Sequence, residues 1–285
     1  MVFHAAFSSG CAVKPLPIDW FIMIKFSYII LDRLSSFDSA ADIQRTFAFL
    51  KQCGYDGVEL NLADPLGVEL AELQKWIDDL GLVIPSFLTG EAYHDGLCLS
   101  SPEDSLRQQA VERLITYLDT AAQFNAILVV GLMQGLRSDE PDPAVANQRI
   151  IDCLSCVATA AEQKNVEFVI EPVNHLQVGF NHTVGEVLQL IRAIGSPAVR
   201  PMVDTIHMNI EEASLEQPIR ECGSDLRHVH LCENNGAHFG TGHLDFRSVL
   251  HTLDEIGYEG FASVKVYREP LQVGASTAID YLKGL

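Results

Sequence analysis

Four apolar runs in the second half of this chain each carry a titratable side chain at or near their C-terminal end. The run 166–170 is followed by Glu171, 201–203 by Asp204 and 261–264 by Lys265, while 226–231 carries His228 and His230. Carboxylates and imidazoles hold divalent ions such as Mn, Mg, Co or Zn, and with an amine beside them they can also move protons. A single carboxylate at a strand end is ordinarily a solvated loop residue or a helix partner. Such groups on four successive strands make a site if the strands are parallel neighbours. The C-terminal ends of parallel strands open on one face, and adjacent strands stand about 4.8 Å apart.

The elements that must position these groups alternate regularly from Lys25 onward. Strands are expected at 25–30, 57–60, 82–88, 127–131 and 166–171, then in runs ending at Asp204 and His230, and last at 261–266. Helices begin at recognisable signals. Ser39 with Asp42 and Thr183 with Glu186 have capping-box spacing, and Ser101-Pro102-Glu103-Asp104 combines a capping serine, a first-turn proline and acids facing the helix dipole. The helix after 57–60 is expected at 68–80. Ile43, Phe47 and Leu50 lie on one helical face. Eight strand–helix units are the count of a single (β/α)8 TIM barrel. An open doubly wound sheet also alternates, but no G-x-G-x-x-G follows the first strand.

The barrel domain is expected to span 23–285. Residues 1–22 form an N-terminal extension that includes Lys14-Pro15-Leu16-Pro17 and lacks the basic start and apolar centre of a signal peptide, and Met23 is a candidate start. With 38 acidic against 19 basic residues, the formal charge of -19 disfavours a nucleic-acid partner. No apolar stretch is long enough for a membrane span. An odd set of 7 cysteines points to a reducing, cytoplasmic compartment. Cys153 and Cys156 fall inside an expected helix and are expected to be small buried hydrophobes. A homo-oligomer is left open.

Three segments carry a family resemblance. Glu171-Pro172-Val173-Asn174, the stretch 203–212 containing Asp204, His207 and Asn209, and His228-Val229-His230 with 242–246 resemble the xylose isomerase-like barrel superfamily, in particular its ketose 3-epimerase and sugar-phosphate isomerase/epimerase branch. The resemblance runs from Met23 onward, and the loop 89–93 and the turn 257–261 fit it. It implies a barrel-mouth metal held by Glu171, Asp204 and His230, with His207 beside it as a substrate-orienting group. It also implies a small carbohydrate substrate whose adjacent hydroxyl and carbonyl oxygens meet the ion. Glu171 would remove a proton next to the carbonyl, and a second acid on the other face would return it. The ion would stabilise the enediolate. Asn174, Glu91 and Asn235 are further candidate substrate contacts. Glu59 is expected at the rim, and His228 one layer below the metal. His175, His182 and His238 are expected to be solvated loop residues.

The chain departs from that pattern at three positions. Lys265 stands where the family places a glutamate that is both fourth ligand and second base, Gln177 where epimerases often have another glutamate, and Gly236 where a sugar-binding arginine is common. An ammonium beside a dication is unfavourable. Either the metal is weak or absent and the ammonium takes over part of its charge, or the lysine is neutral, or it turns aside to an acid such as Glu233. A neutral Lys265 acting as the second acid/base is the leading expectation. The function expected is a metal-dependent sugar isomerase/epimerase working through an enediolate. The rivals are a dehydratase or lyase on the same site and a catalytically degenerate sugar-binding barrel. The endonuclease branch is disfavoured by the charge. Gly240-Thr241-Gly242 could approach a phosphate, but no basic cluster accompanies it.

Overall fold

Strand and helix alternate as the periodicity requires. A computed structural model describes residues 24–63 and 69–285, so the expected extension 1–22, the candidate start at Met23 and residue 68 of the second helix lie outside the described residues. The strands are β1 (Lys25–Ile30), β2 (Gly57–Asn61), β3 (Ser86–Leu88), β4 (Ile127–Val130), β5 (Phe168–Ile170), β6 (Val199–Asp204), β7 (His228–Leu231) and β8 (Phe261–Val264). They pair in sequence order, all parallel, and β8 returns to β1 to close the barrel.

The helices are α1 (Ala40–Cys53), α2 (Leu70–Leu80), α3 (Gly90–His94), α4 (Asp104–Phe124), α5 (Pro143–Lys164), α6 (Val184–Ile194), α7 (Thr205–Glu211), α8 (Glu216–Cys222), α9 (Phe246–Glu255) and α10 (Leu271–Lys283). Thr183 and Glu186 close the expected capping box reciprocally at the start of α6. Ser39 Oγ accepts from the Asp42 amide at 3.3 Å and starts α1. The helix expected to be capped by Ser101 begins instead at Asp104, because Ser101 Oγ takes the Glu103 amide at 3.2 Å in the turn before it. The third strand is shorter than expected. Pro85 has no amide to give to a ladder, so only a single bridge from Val83 to Gly57 precedes it.

Successive strand residues face opposite ways. Val58, Leu60, Phe87, Leu128, Phe168 and Val203 face outward and join Phe47, Leu73, Leu114 and Leu154 of the surrounding helices in one core. Inside the barrel Ile127, Val129, Val169 and Met202 form a separate cluster with Leu88 packed on it. Ser27, Glu59, Ser86, His228, His230 and Ser263 are also buried, and hydrogen bonds across the barrel join them to one another. Cys153 is buried as expected but Cys156 is exposed, since three residues along α5 turn it off the packed face. Among the described residues no helix is long and apolar enough to cross a membrane.

Candidate active site

The pairing register brings the expected residues to one level. Asp204 ends β6 opposite His230 of β7. Glu171 and Lys265 each extend their strands by one residue, through amides that donate to Val130 O at 2.9 Å and to Leu231 O at 2.8 Å. Asp204 also caps α7, its Oδ1 accepting the Ile206 amide at 2.9 Å. That short helix, which the sequence did not announce, sets His207 one turn beyond Asp204 and over the same point.

Five side chains converge there. Glu171 Oε1 lies 3.2 Å from His230 Nδ1, 3.7 Å from His207 Nε2 and 3.8 Å from Lys265 Nζ. Asp204 Oδ2 lies 3.4 Å from His230 Nδ1 and 3.7 Å from His207 Nε2, and accepts a direct hydrogen bond from Lys265 Nζ. The other imidazole nitrogen of His230 meets Glu59 Oε1 at 2.9 Å, and His228 Nε2 meets Glu59 Oε2 at 3.0 Å. Ser86 and Ser263 hydroxyls lie 3.3 and 3.2 Å from the same His228 nitrogen. His228 is therefore the second layer that the sequence suggests. Glu59 is not a rim residue: β2 turns it into the closed interior, where it is 0% exposed.

The hydrogen bonds fix most protonation states. His230 has a carboxylate at each ring nitrogen. Burial opposes its charge, but Glu59 and the bonds to Asp204 and Glu171 outweigh that and hold its pKa well above the ordinary imidazole value. Burial likewise opposes ionisation of Glu59, Glu171 and Asp204, yet their neighbours lower all three, Glu59 through the His230 charge and its bonds to both imidazoles and the other two chiefly through Lys265. Asn174 Oδ1 takes the Leu176 amide at 3.1 Å, so its Nδ2 faces and donates to His207 Nδ1 at 2.7 Å. That leaves the His207 proton on Nε2, aimed at the carboxylates, and burial depresses its pKa. The expected neutral lysine needs an ion as well as burial to depress it, and what the structure sets against Lys265 is a carboxylate. Burial would lower the Lys265 pKa, but contact with Asp204 raises it well above the usual value. Nor does Lys265 turn to Glu233, whose carboxylate accepts the amides of Asn234, Gly240 and Leu244.

Above these groups a cavity of about 290 Å³ opens at the barrel mouth, lined among others by Glu171, His207, Lys265, Glu91, Gln177 and Tyr267. Glu91, on α3, is held there by Arg33 and by Asn61 Nδ2 at 3.2 Å. Asn174 acts through His207. Asn235 hydrogen-bonds within its own loop, to Thr241 at 3.2 Å and to the Ala237 amide at 2.9 Å. Several contributors went unread in the sequence. A Cβ at Gly131 would collide with Glu171 Oε2, so a glycine after β4 gives that carboxylate its room. Gln134, steadied by Asn181, donates to Glu171 O at 3.1 Å. Tyr267 places its ring 5.5 Å from the Lys265 ammonium. Gly131 closing a strand and the Tyr267 alternation with Lys265 were the available signals.

Two groups of residues are able to offer metal ligands: one donor atom each from Glu171, Asp204 and His207, and one each from Glu59, His228 and His230, lie within 4.8 Å of one another. The oxygens of Glu171 and Asp204 and the His230 ring are also close enough to share a centre. The donor types suit a divalent ion, but the position does not fit one. An ion bound about 2.0–2.2 Å from a carboxylate oxygen would need the space beside Asp204 Oδ2 that the Lys265 ammonium fills. In the deeper group both imidazoles are hydrogen-bonded to the Glu59 carboxylate.

A family model described as the xylose isomerase-like TIM barrel matches residues 47–285. Among curated proteins, an L-ribulose 3-epimerase of Mesorhizobium japonicum is 27% identical, over 79% of this chain and 75% of its own length. A D-psicose 3-epimerase of Enterocloster bolteae is 28% identical, over 80% of this chain and 77% of its own. A solved L-ribulose 3-epimerase structure superposes with a TM-score of 0.81 at 24% identity, covering 91% of this chain and 93% of that one, which is a likeness of fold.

Proposed function

The chain belongs to the xylose isomerase-like TIM barrel family, and on that premise we propose that it is a sugar epimerase, moving a proton at the carbon next to a ketose carbonyl. The observation that carries this reading is the ionised Glu171 carboxylate opening onto the cavity beside an ammonium and an imidazole N–H. The 3-epimerase activities in the names of its relatives support a ketose as substrate.

Glu171 takes the carbon-bound proton, and the bonding pair moves into the carbonyl to give an enediolate. The His207 Nε2–H and the Lys265 ammonium face the negative charge that develops on oxygen, in a site largely closed to water. Lys265 enters from β8, three strands around the barrel from β5, and is the acid that returns a proton to the other face. Return to the same carbon, C3, gives the epimer; return to C2 instead would move the carbonyl to C3 and give a 3-ketose. The Mn, Mg, Co or Zn ion implied by the resemblance, which would polarise the carbonyl and hold the enediolate, enters none of these steps, because its position at Glu171, Asp204 and His230 is the one Lys265 takes. Glu91 at the mouth and His207, oriented by Asn174, are the substrate contacts. The loop at Gly240–Gly242 folds around Glu233, and a Cβ on Gly242 would strike that carboxylate. The Gly240 and Thr241 amides are thus committed, to Glu233 and to the His238 carbonyl, which favours an unphosphorylated sugar.

Incubation with a panel of ketopentoses and ketohexoses, read by chromatography, tests the reading. The expected product is the C3 epimer, and Glu171→Gln removes it. Formation of a dehydrated or cleaved product instead would make the enzyme a lyase. No conversion of any ketose by the folded protein would sink the proposal.

A further inference from the structure

Position 265 decides which cation this barrel mouth holds. In a site built for a divalent ion, the ion sits among carboxylates and imidazoles that are otherwise unpaired across their shared gap. Here that gap is bridged by the chain itself. The Lys265 ammonium donates to Asp204 Oδ2 and stands 3.8 Å from Glu171 Oε1, and its side chain is 6% exposed. The aromatic face of Tyr267 lies 5.5 Å from the nitrogen, a further stabilising contact for a cation. Two carboxylates with one ammonium leave this group with one net negative charge. A glutamate at 265 would make it three carboxylates, and a dication would then bring it to the same value. Adding a dication to the group as it stands would reverse its sign, and the ion would have to displace a buried, hydrogen-bonded ammonium to reach Asp204.

We infer that the ε-ammonium of Lys265 is a built-in replacement for the divalent metal ion, so that this enzyme polarises the sugar oxygen with its own side chain and works without metal. The part Lys265 plays in catalysis rests on the proton-transfer reading above; the identity of the resident cation does not. The consequence for the substrate is geometric. An ammonium offers hydrogen bonds to one or two oxygens where a metal chelates a pair, so Lys265 and the His207 N–H together must do the work of bidentate chelation.

The test uses the full chain, purified without added metal and dialysed against EDTA. Metal content is measured by elemental analysis, and melting temperature is followed as Mn, Co or Zn is added. The wild type is expected to carry far less than one ion per chain and to show no metal-dependent rise in melting temperature. Lys265→Glu is expected to bind roughly one ion per chain, with a melting temperature that rises with metal concentration. If Lys265→Glu does not fold, Lys265→Gln removes the ammonium without adding charge and should gain the same metal response in weaker form. Stoichiometric metal in the dialysed wild type, or a metal response equal to that of the variants, overturns the inference. A metal-free wild type that exchanges no proton with any ketose leaves the cation assigned and sinks the epimerase reading; a metal-loaded wild type that epimerises does the reverse.

Discussion

β3 to β6 turn Leu88, Ile127, Val129, Val169 and Met202 into the barrel, whereas β7, β8, β1 and β2 supply His228, His230, Ser263, Ser27 and Glu59. The first half lines the interior mainly by close packing, with Ser86 of β3 and Asp204 of β6 as its polar members. The second half is one hydrogen-bonded run: Ser27 to Ser263 at 2.6 Å, Ser263 to His228 at 3.2 Å, His228 to Glu59 at 3.0 Å, Glu59 to His230 at 2.9 Å and His230 to Glu171 at 3.2 Å. Buried polar groups are tolerable only when each has its partner, and a network of this kind fixes the side chains it contains. The apolar half is thus an anchor, and the polar half is a brace that ends at the reactive carboxylate. Glu171 stands where the two meet, directly after the apolar Val169 of the same strand face.

That division can be broken at graded points. The largest effect is expected from Glu171→Gln, which keeps the side chain's shape and removes the base. Epimerisation should fall by about 10²–10⁴-fold with the melting temperature little changed, and a variant of near wild-type rate would place the base elsewhere. Next is Glu59→Leu, which leaves His228 and His230 buried at 0–1% exposure without their shared carboxylate. Removing one partner of a buried charged pair costs about 3–5 kcal/mol, to be read from urea unfolding; a loss near zero would mean that the brace bears no load.

In the apolar half, Met202→Ala should cost about 2–5 kcal/mol through the cavity it leaves, and the smaller Ile127→Val about 0.5–1.5 kcal/mol. The Ile127 variant should keep its proton-transfer rate. If it loses activity in proportion to stability, the halves are not separable.

The pH profile of stability sharpens the same contrast. Glu59 and Asp204 have folded pKa values below the ordinary carboxylate range, so their contribution is complete above about pH 4 and is lost as pH falls through the folded values. His230 is raised, so its contribution is complete below about pH 6.5 and is lost as pH rises through its folded value. Stability should be greatest between these limits. Glu59→Gln should flatten both limbs, whereas Ile127→Val should lower the curve without changing its shape.

The parts of the molecule legible in the sequence are those governed by short-range chemistry. Short apolar runs and helix caps marked the strands and most helix starts, and their count implied the barrel. Because strand ends share a face, Glu171, Asp204, His230 and Lys265 could be placed together before any coordinates. The rest depends on what faces what across the barrel. Glu59 sits in a run, Gly57 to Leu60, that also suits a strand with its acid at the rim; only the closed register shows it between two histidines. Lys265 was recognisable as an anomaly, but its protonation follows from Asp204 Oδ2 being within reach, a distance no spacing encodes. The helix α7 hides because Asp204 is at once strand end, helix cap and site residue.

The most direct test of the central claim is solvent exchange: the protein is held in deuterium oxide with a ketose, and deuterium at the carbon beside the carbonyl is followed by NMR. The account predicts deuterium in both substrate and epimer with the wild type, undiminished by EDTA, and almost none with Glu171→Gln. Epimer formed without deuterium, or uptake that survives the loss of the Glu171 carboxylate, would contradict it.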